Sequence, residues 1–205
     1  LPHQRNQTLL VPSAEHESSQ IERYRIFARP LRGNYPDHGS TILITSTTHG
    51  EGKSTVAINL AAVYGRQDEH VLVMDSQIRS KLTPTPFHGF ILQDDAVKQP
   101  NGLGEYLSYR VSEVDDIITP SILPGVDFMI KEGDAVIPDL LQSARMRELM
   151  DELKQRYSLI IIEGAPVAEC VDSEIMANYS DAILVVAACD TLRPHTIQQA
   201  VQRMK

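Results

Sequence analysis

The sequence predicts an α/β fold, a doubly wound and mostly parallel sheet with helices on both faces. Four short runs of residues are apolar along almost their whole length, at 41–45, 70–75, 158–163 and 182–187. A strand that is apolar on both sides is typical of a parallel sheet buried on both faces. Segments with helical periodicity separate these runs, which is the order of consecutive βαβ units. The chain of 205 residues is long enough for one such domain with a full core.

The chain is predicted to begin with a flexible arm and to continue as one domain. Residues 1–19 are rich in Gln, Ser and His and show little periodicity, so we interpret them as a linker. The domain is predicted to cover 20–205. Its first element is an arginine-rich helix at 20–33, which Pro30 is expected to end or bend.

A strand, a glycine-containing loop and a helix follow one another around the stretch Ser-Thr-Thr-His-Gly-Glu-Gly-Lys-Ser-Thr at 46–55. Gly50 and Gly52 allow the backbone to curl so that successive N–H groups face one concavity, which suits phosphate oxygens. The next helix adds the positive end of its dipole. Lys53 can reach the β- and γ-phosphates, and the hydroxyl of Ser54 can bind Mg²⁺. This is the layout of a P-loop, so the fold is predicted to be P-loop NTPase-like, with ATP or ADP and Mg²⁺ as cofactors.

The predicted cofactor-binding residues form one continuous stretch of this loop and the first turn of its helix. They are His49, Gly50, Glu51, Gly52, Lys53, Ser54 and Thr55. The loop departs from the strict P-loop pattern at one position, because Thr47 stands where the first glycine is required. The alternative is a glycine-rich turn with an incidental Lys-Ser pair, which the flanking strand and helix disfavour.

Two of the predicted buried strands end in an acid, Asp75 and Glu163. In a parallel sheet the ligand lies at the carboxyl ends of the strands, so both acids and the P-loop are predicted to converge on one phosphate and its metal. The alternative for Asp75 is a helix N-cap or turn acid, and a structural role is also open for Glu163.

The remaining predicted elements are short helices and strands between and after these motifs. They are a short helix at 102–109, short strands at 116–119 and 126–130, a helix that Pro138 opens, a short helix at 172–180 and a last helix from Pro194. A further helix is predicted at 144–156, with Ser143 as its N-cap and an apolar stripe of Met146, Leu149, Met150 and Leu153.

The composition narrows the function further. The net charge is −8, from 27 acidic and 19 basic residues, which argues against a general nucleic-acid-binding protein. The two cysteines, Cys170 and Cys189, lie in apolar surroundings and are predicted to be buried free thiols. The longest apolar run, 182–189, is too short for a membrane span. Because the chain begins with Leu1, we expect it to be part of a longer protein.

Three motifs together resemble the Walker motifs of the bacterial tyrosine kinases. They are Gly-Glu-Gly-Lys-Ser at 50–54, Val-Leu-Val-Met-Asp-Ser-Gln-Ile-Arg at 71–79, and Ile-Ile-Ile-Glu-Gly-Ala-Pro at 160–166. Residues 138–146 and 181–186 are also similar to segments of this family, and residues 24–31 look most like the first helix of its exosortase-associated branch. The resemblance covers roughly 20–205.

The resemblance implies an ATP-dependent protein-tyrosine autokinase of exopolysaccharide or capsule synthesis and export. Lys53 would bind the phosphates, Asp75 would lie near the metal as a candidate to accept the tyrosine proton, and Arg79 would match the arginine of the second motif. The implied catalytic residues are Lys53, Asp75, Arg79 and Glu163, and the implied metal ligands are Ser54, Asp75 and Glu163.

The resemblance also implies partners and a location. The family works in the cytoplasm at the inner face of the plasma membrane, with a membrane-embedded polysaccharide chain-length or activator protein on the same or a separate chain. It forms homo-oligomers through a Glu-x-x-Arg-x-x-Arg helix, here at 20–33. The match is partial: Glu22 and Arg25 fit the motif, but Ala28 stands at the position of its second arginine. The tyrosine cluster of the family's C-terminal tail has no counterpart in these 205 residues.

Two positions depart from the family's motifs. Gln77 stands where the second motif has its second aspartate, and Glu163 stands where the third motif has aspartate. An amide cannot accept a proton. The extra methylene of glutamate moves its carboxylate by about 1 Å, whereas Mg²⁺ requires near-ideal octahedral geometry. We therefore expect ATP binding to survive better than turnover.

Three functions remain open at this point. The first is an active tyrosine autokinase, and the second is a nucleotide-dependent regulator of the same system with little chemistry of its own. The third is a partitioning-type ATPase, a class that carries a second lysine early in the P-loop. Thr48 and His49 occupy that region here, which disfavours the third function. A dinucleotide oxidoreductase is disfavoured as well, because Gly-x-Gly-x-x-Gly is absent from the sequence.

Overall fold

The computed structural model describes residues 19–32, 39–78, 85–92, 101–132, 138–188 and 194–204. Within these residues the predicted α/β fold is confirmed, because six strands form one mostly parallel sheet and helices cover both of its faces. Most of the predicted linker, residues 1–18, lies outside the described part of the chain. None of the helices in the described ranges is both long enough and apolar enough to cross a membrane.

Strands and helices follow one another in the alternating order that the sequence predicts. The strands are β1 (Ser40–Ser46), β2 (Val71–Asp75), β3 (Thr119–Pro120), β4 (Val126–Met129), β5 (Leu159–Glu163) and β6 (Ala182–Val186). The helices are α1 (Ser19–Arg32), α2 (Lys53–Gly65), α3 (Leu103–Leu107), α4 (Ala144–Arg156), α5 (Asp172–Ala177) and α6 (Pro194–Arg203). Short 3-10 helical turns lie at His88–Phe90, Val114–Ile117 and Pro138–Gln142.

The strand order β3-β4-β2-β5-β1-β6 places the two acid-bearing strands side by side. Strand β5 lies between β1 and β2 and is parallel to both. Glu163 of β5 is opposite Asp75 of β2 on one side and opposite Ile44 of β1 on the other. Because these strands are parallel, the loops that follow their carboxyl ends share one edge of the sheet. That edge carries the P-loop and both acids.

Alternate residues of the central strands pack against different helix layers. Ile42 and Ile44 of β1 belong to the core that includes α1 and α2, whereas Leu43 between them belongs to the core that includes α3, α4 and α5. All three side chains are at most 2% exposed. Burial on both sides explains why these strands lack the polar positions of a half-exposed strand.

Helix α4 confirms its predicted cap and its predicted apolar stripe. The hydroxyl of Ser143 accepts a hydrogen bond of 3.1 Å from the Met146 backbone N–H and donates one of 2.7 Å to the Leu140 carbonyl. The four residues of the stripe are at most 2% exposed. The cap and the stripe together fix where the helix starts and which face it buries.

Replacing Ser143 by alanine is expected to lower the free energy of unfolding by about 1 kcal/mol, because the Met146 N–H loses its capping acceptor. Urea unfolding followed by circular dichroism measures the difference. Ser112→Ala is the matched control, since Ser112 is exposed and lies outside any helix or strand. If both variants unfold at the same urea concentration, the cap contributes nothing and the prediction is wrong.

Two strand predictions need correction. The strand predicted at 116–119 is wrong over most of its length, because Val114–Ile117 forms a 3-10 turn and only Thr119–Pro120 pairs, antiparallel to β4. Pro120 has no backbone N–H to donate, which keeps β3 short and at the edge of the sheet. Strand β6 lies where it was predicted. It is the last strand of the sheet on the side opposite β3, and it is half-buried instead of buried.

Two single-residue predictions also differ from the structure. Pro30 does not end α1, which continues to Arg32, while the alternative that Pro30 bends the helix stays a prediction. Cys170 was predicted to be buried, but it is half-buried, because it lies in the loop after β5 and not in the core. Cys189 is outside the described residues.

Candidate active site

The P-loop connects β1 to α2 in a conformation that its glycines permit. Gly50 and Gly52 have φ angles of 80° and 97°, in the left-handed region that other residues rarely adopt. A Cβ at either position would meet no atom within 4 Å, so the backbone conformation, and not space, requires glycine there. Gly52 is the N-cap of α2 and offers no side chain to the first N–H groups of that helix. Those N–H groups are therefore available to an anion.

Glu51 stabilises the P-loop from within. Its carboxylate accepts hydrogen bonds from the Thr47 hydroxyl at 2.8 Å, the Thr48 backbone N–H at 2.9 Å and the Ala188 backbone N–H at 3.3 Å. Partial burial raises the pKa of Glu51, but these hydrogen bonds outweigh burial and hold its pKa below the ordinary value. Glu51 was predicted to bind the cofactor, but in the structure its carboxylate bonds to the loop itself and to the segment after β6.

The side chains predicted to bind phosphate and metal lie at the start of α2. Lys53 is the first residue of the helix and is 5% exposed. The hydroxyl of Ser54 donates a hydrogen bond of 2.6 Å to Oε1 of Glu163. This bond joins the P-loop to the end of β5, so the structure brings the first and third motifs into contact.

Asp75 and Glu163 form a pair of buried acids beside Ser54. Their exposed fractions are 0% and 1%. Oδ1 of Asp75 accepts a hydrogen bond of 3.0 Å from the Gln77 backbone N–H. Burial, followed by the neighbouring charge of Asp75, raises the pKa of Glu163 to about 8, and burial also raises the pKa of Asp75.

The remaining oxygens of this acid pair fit a divalent cation. Oδ2 of Asp75 and Oε2 of Glu163 are buried and have no hydrogen-bond partner, which is costly unless a cation or a donor meets them. Two carboxylates and the Ser54 hydroxyl are oxygen ligands of the kind that Mg²⁺ takes together with water and phosphate. The described ranges hold no group of three or more His, Cys, Asp or Glu side chains that could hold a metal ion by themselves.

Sequence reasoning missed two polar side chains at this edge of the sheet. Lys131 lies two residues beyond β4 and is 8% exposed. Ser76 directly follows β2, and its N–H and hydroxyl donate hydrogen bonds of 3.0 and 2.9 Å to the Glu163 carbonyl. A signal for both existed, because each follows a strand whose carboxyl end lies at the predicted site.

The other predicted site residues lie around this centre or outside the described ranges. Nε2 of His49, in the P-loop, is 3.0 Å from Oε2 of Glu169 in the loop after β5, and both side chains are about half-exposed. Thr55 is half-buried in the first turn of α2. Arg79 lies outside the described residues, so its role stays a prediction.

The chain is similar in sequence to a putative tyrosine-protein kinase and to a tyrosine-protein kinase. The AAA domain family matches residues 39–205. EpsB of Ralstonia nicotianae is 28% identical over 208 residues, which are 99% of this chain and 26% of EpsB. The tyrosine-protein kinase YwqD of Bacillus subtilis is 29% identical over 190 residues, which are 91% of this chain and 76% of YwqD. The chain thus spans about a quarter of EpsB and three quarters of YwqD.

Solved structures share the fold. The kinase domain of the Escherichia coli tyrosine kinase ETK superposes with a TM-score of 0.80 at 24% identity, over 100% of this chain and 78% of that one. Cobyrinic acid a,c-diamide synthase of Mycobacterium smegmatis, solved with bound ADP and magnesium, superposes with a TM-score of 0.63 at 17% identity, over 80% and 66% of the two chains. The exosortase-associated branch stays a prediction. The chain belongs to the AAA domain family, and its resemblance to the bacterial tyrosine kinases is confirmed.

Proposed function

We propose that this chain is the ATP-binding cytoplasmic domain of a bacterial protein-tyrosine autokinase that regulates exopolysaccharide synthesis and export, with weakened catalysis. One observation carries the proposal: the P-loop and both acids meet at one edge of the sheet. The Ser54 hydroxyl is 2.6 Å from the Glu163 carboxyl group, and Asp75 is opposite Glu163. The similarity to tyrosine-protein kinases such as YwqD supports the class of reaction.

The chemistry follows from these side chains. The phosphates of ATP would lie against the backbone N–H groups of 50–55 and the ammonium group of Lys53. Ser54, Asp75 and Glu163 would hold Mg²⁺, which when bound offsets the negative charge of the phosphates. Asp75, next to Glu163 at the end of β2, is the candidate that the resemblance implies to accept the proton of the attacking tyrosine hydroxyl.

A second function is favoured by the altered acids. Gln77 contributes no carboxylate, and Glu163 replaces the shorter aspartate of the family's third motif. Phosphoryl transfer depends on positioning and on charge around the metal, so both changes affect turnover more than nucleotide binding. This second candidate is a nucleotide-dependent regulator of the same polysaccharide system that binds ATP without transferring its phosphate.

The test incubates the full-length protein with ATP and Mg²⁺ and maps phosphotyrosine by mass spectrometry. Phosphotyrosine that forms in the wild type and is absent from the Lys53→Met variant is the result expected of an autokinase. ATP binding without any phosphotyrosine would contradict the autokinase and leave the regulator. If ATP does not bind at all, both functions are wrong.

We further propose that the kinase oligomerises through α1 at the inner face of the plasma membrane, where it meets a membrane-embedded chain-length or activator protein. Helix α1 is attached to α2, since the Tyr64 hydroxyl donates a hydrogen bond of 2.8 Å to the Ala28 carbonyl. Its outer side exposes Ile26 by 66% and Phe27 by 43%, next to the exposed Arg29. Exposed apolar side chains beside arginine suit a protein interface.

Reversing charge on α1 is expected to reduce the particle mass in light scattering, because arginines of this helix would face acidic groups of the neighbouring subunit. The variant is Arg25→Glu with Arg29→Glu. The control is Arg110→Glu, an exposed position after α3, the helix of the opposite layer. A wild type that stays monomeric both alone and with its activator protein would rule out this oligomer.

A further inference from the structure

Glu51 connects the phosphate-binding loop to the segment after β6. Strand β1 pairs with β6 up to the pair of Ser46 and Val186, and Thr48 and Ala188 lie two residues beyond this pair. Oε2 of Glu51 accepts a hydrogen bond of 2.9 Å from the Thr48 N–H, and Oε1 accepts one of 3.3 Å from the Ala188 N–H. The carboxylate therefore bridges the two segments at the point where the strand pairing ends.

The loop after β5 holds the other side of the same turn. Because β1 lies between β5 and β6, the residues that follow β1 lie between the segments that follow those two strands. The backbone N–H groups of Val167 and Ala168 donate hydrogen bonds of 2.8 and 3.3 Å to the carbonyls of Ser46 and Thr47. The Thr47 hydroxyl donates one of 2.8 Å to Oε2 of Glu51. Backbone bonds thus hold one side of the loop, and the Glu51 side chain holds the other.

Both oxygens of Glu51 face N–H donors, an arrangement that a carboxylate satisfies and an amide does not. An ionised carboxylate accepts on both oxygens, whereas a glutamine side chain offers one oxygen and one NH₂ group. Whichever way a glutamine at this position turned, its NH₂ group would meet the N–H of Thr48 or that of Ala188. Glu51 is ionised at neutral pH: burial raises its pKa, but the hydrogen bonds outweigh burial and lower the pKa.

The charge of Glu51 works against the ligand that this loop is proposed to bind. Glu51 lies between Gly50 and Gly52, in the loop whose backbone N–H groups would face the phosphates. A negative charge there repels phosphate, so charge alone predicts tighter binding when Glu51 is neutralised. Positioning predicts the opposite, because N–H groups that are not held in place must be ordered when the nucleotide binds.

We propose that Glu51 is a positioning residue of the nucleotide site, which keeps the phosphate-binding loop in its binding conformation before ATP or ADP arrives. The proposal rests on the proposed nucleotide-binding function. The two oxygens of Glu51 fix Thr48, at the start of the loop, to Ala188, so the loop does not have to fold when the phosphates bind. This advantage exceeds the repulsion between the Glu51 carboxylate and the phosphates.

Isothermal titration calorimetry of the whole chain with ADP and Mg²⁺ compares the wild type with Glu51→Gln and Glu51→Asp. Glu51→Gln is expected to bind ADP about tenfold more weakly, although it removes a negative charge. Glu51→Asp keeps the charge but shortens the side chain by one methylene, so it cannot reach both donors and should also lose about tenfold. Glu148→Gln, at an exposed position on α4, makes the same change in net charge elsewhere and should leave the affinity unaltered.

Two further measurements separate positioning from a general loss of structure. Hydrogen exchange of the nucleotide-free protein should be faster in Glu51→Gln in the peptides that contain Thr48 and Ala188, because both N–H groups lose their shared acceptor, and unchanged in those of α4. The phosphorus NMR resonance of the β-phosphate of saturating ADP should shift in both Glu51 variants and stay in place in Glu148→Gln. Thermal unfolding checks that each variant is folded.

A folded Glu51→Gln variant that binds ADP as tightly as the wild type, or more tightly, would overturn this proposal and leave the nucleotide-binding function intact. Glu51→Asp with wild-type affinity would overturn it as well, and this variant decides the matter if Glu51→Gln does not fold. Weaker binding without any shift of the phosphate resonance would show a merely structural role and would also overturn it. If the wild type does not bind ADP, the nucleotide-binding function is wrong, and this proposal is wrong with it.

Discussion

Replacing Lys53 by methionine is expected to abolish the binding of ADP and ATP while the domain stays folded. Lys53 is the first residue of α2 and directly follows the left-handed Gly52 of the phosphate-binding loop. Its loss removes a charge-assisted contact from each phosphate that it reaches, and affinity should fall by more than about 100-fold. Methionine has nearly the same length and helix propensity, and it tolerates the burial of a side chain that is 5% exposed.

Calorimetry with ADP and Mg²⁺ measures the affinity, and thermal unfolding measures the stability. Lys154→Met is the control for a general effect of one lost charge. Lys154 belongs to α4 and lies beside Gly39, just before β1, so it is at the amino-terminal end of that strand and away from the P-loop. A folded Lys53→Met variant that binds ADP as tightly as the wild type would show that this loop is a glycine-rich turn with an incidental Lys-Ser pair. The nucleotide-binding function would then be wrong.

The structure gives a reason for the residue that departs from the strict P-loop pattern. Thr47 stands in place of the first glycine, and it is 1% exposed with its hydroxyl bonded to Glu51 at 2.8 Å. A glycine there could not make this bond. The same Glu51 carboxylate accepts a hydrogen bond from the Thr48 N–H, so the Glu51 side chain holds this part of the loop. The departure is therefore compatible with a folded phosphate cradle.

Local sequence patterns were sufficient for the elements that are buried on both sides or capped. Strands β1, β2 and β5 are apolar because both faces are covered, and α4 begins at Ser143 because that hydroxyl accepts from Met146. Asp75 and Glu163 were predicted to converge because the carboxyl ends of parallel strands share one edge. Each of these predictions needed only the chain nearby and one general rule about parallel sheets.

Features that depend on strand order could not be predicted in the same way. That Lys131 follows a strand could be read from the sequence, but the pairing of that strand, β4, with the acid-bearing strand β2 is not encoded in the residues around Lys131. The bond between Glu51 and the Ala188 N–H joins positions 137 residues apart. Strand β6 is as apolar as an interior strand, yet it lies at an edge of the sheet within the described part of the chain. These are long-range pairings, and periodicity along the chain does not contain them.

The geometry of the acids shows how the altered motifs affect the site. Glu163 reaches Ser54 with its longer side chain, at 2.6 Å, while its backbone carbonyl is fixed by two hydrogen bonds from Ser76. Gln77 is half-buried, and its backbone N–H holds Oδ1 of Asp75 at 3.0 Å. Position 77, where the family has its second aspartate, is therefore held next to Asp75 by this backbone hydrogen bond. Restoring aspartate at both positions changes the charge and the reach of the acids but not the backbone.

Gln77→Asp combined with Glu163→Asp is expected to raise the rate of phosphoryl transfer by about 10- to 100-fold, because misplacement of a reacting group by about 1 Å costs about that much. ATP affinity in the presence of Mg²⁺ should change little, since the P-loop backbone and Lys53 are untouched. Both positions act on one metal, so the effects of the single substitutions should not add independently.

The assay is steady-state ATP hydrolysis, together with phosphorylation of the protein's tyrosines, for the wild type, both single variants and the double variant. Gln67→Asp, an exposed position after α2, controls for an added carboxylate elsewhere. A wild type that already turns over as fast as the double variant would show that the site has adapted to glutamine and glutamate, and the proposal of weakened catalysis would then be wrong.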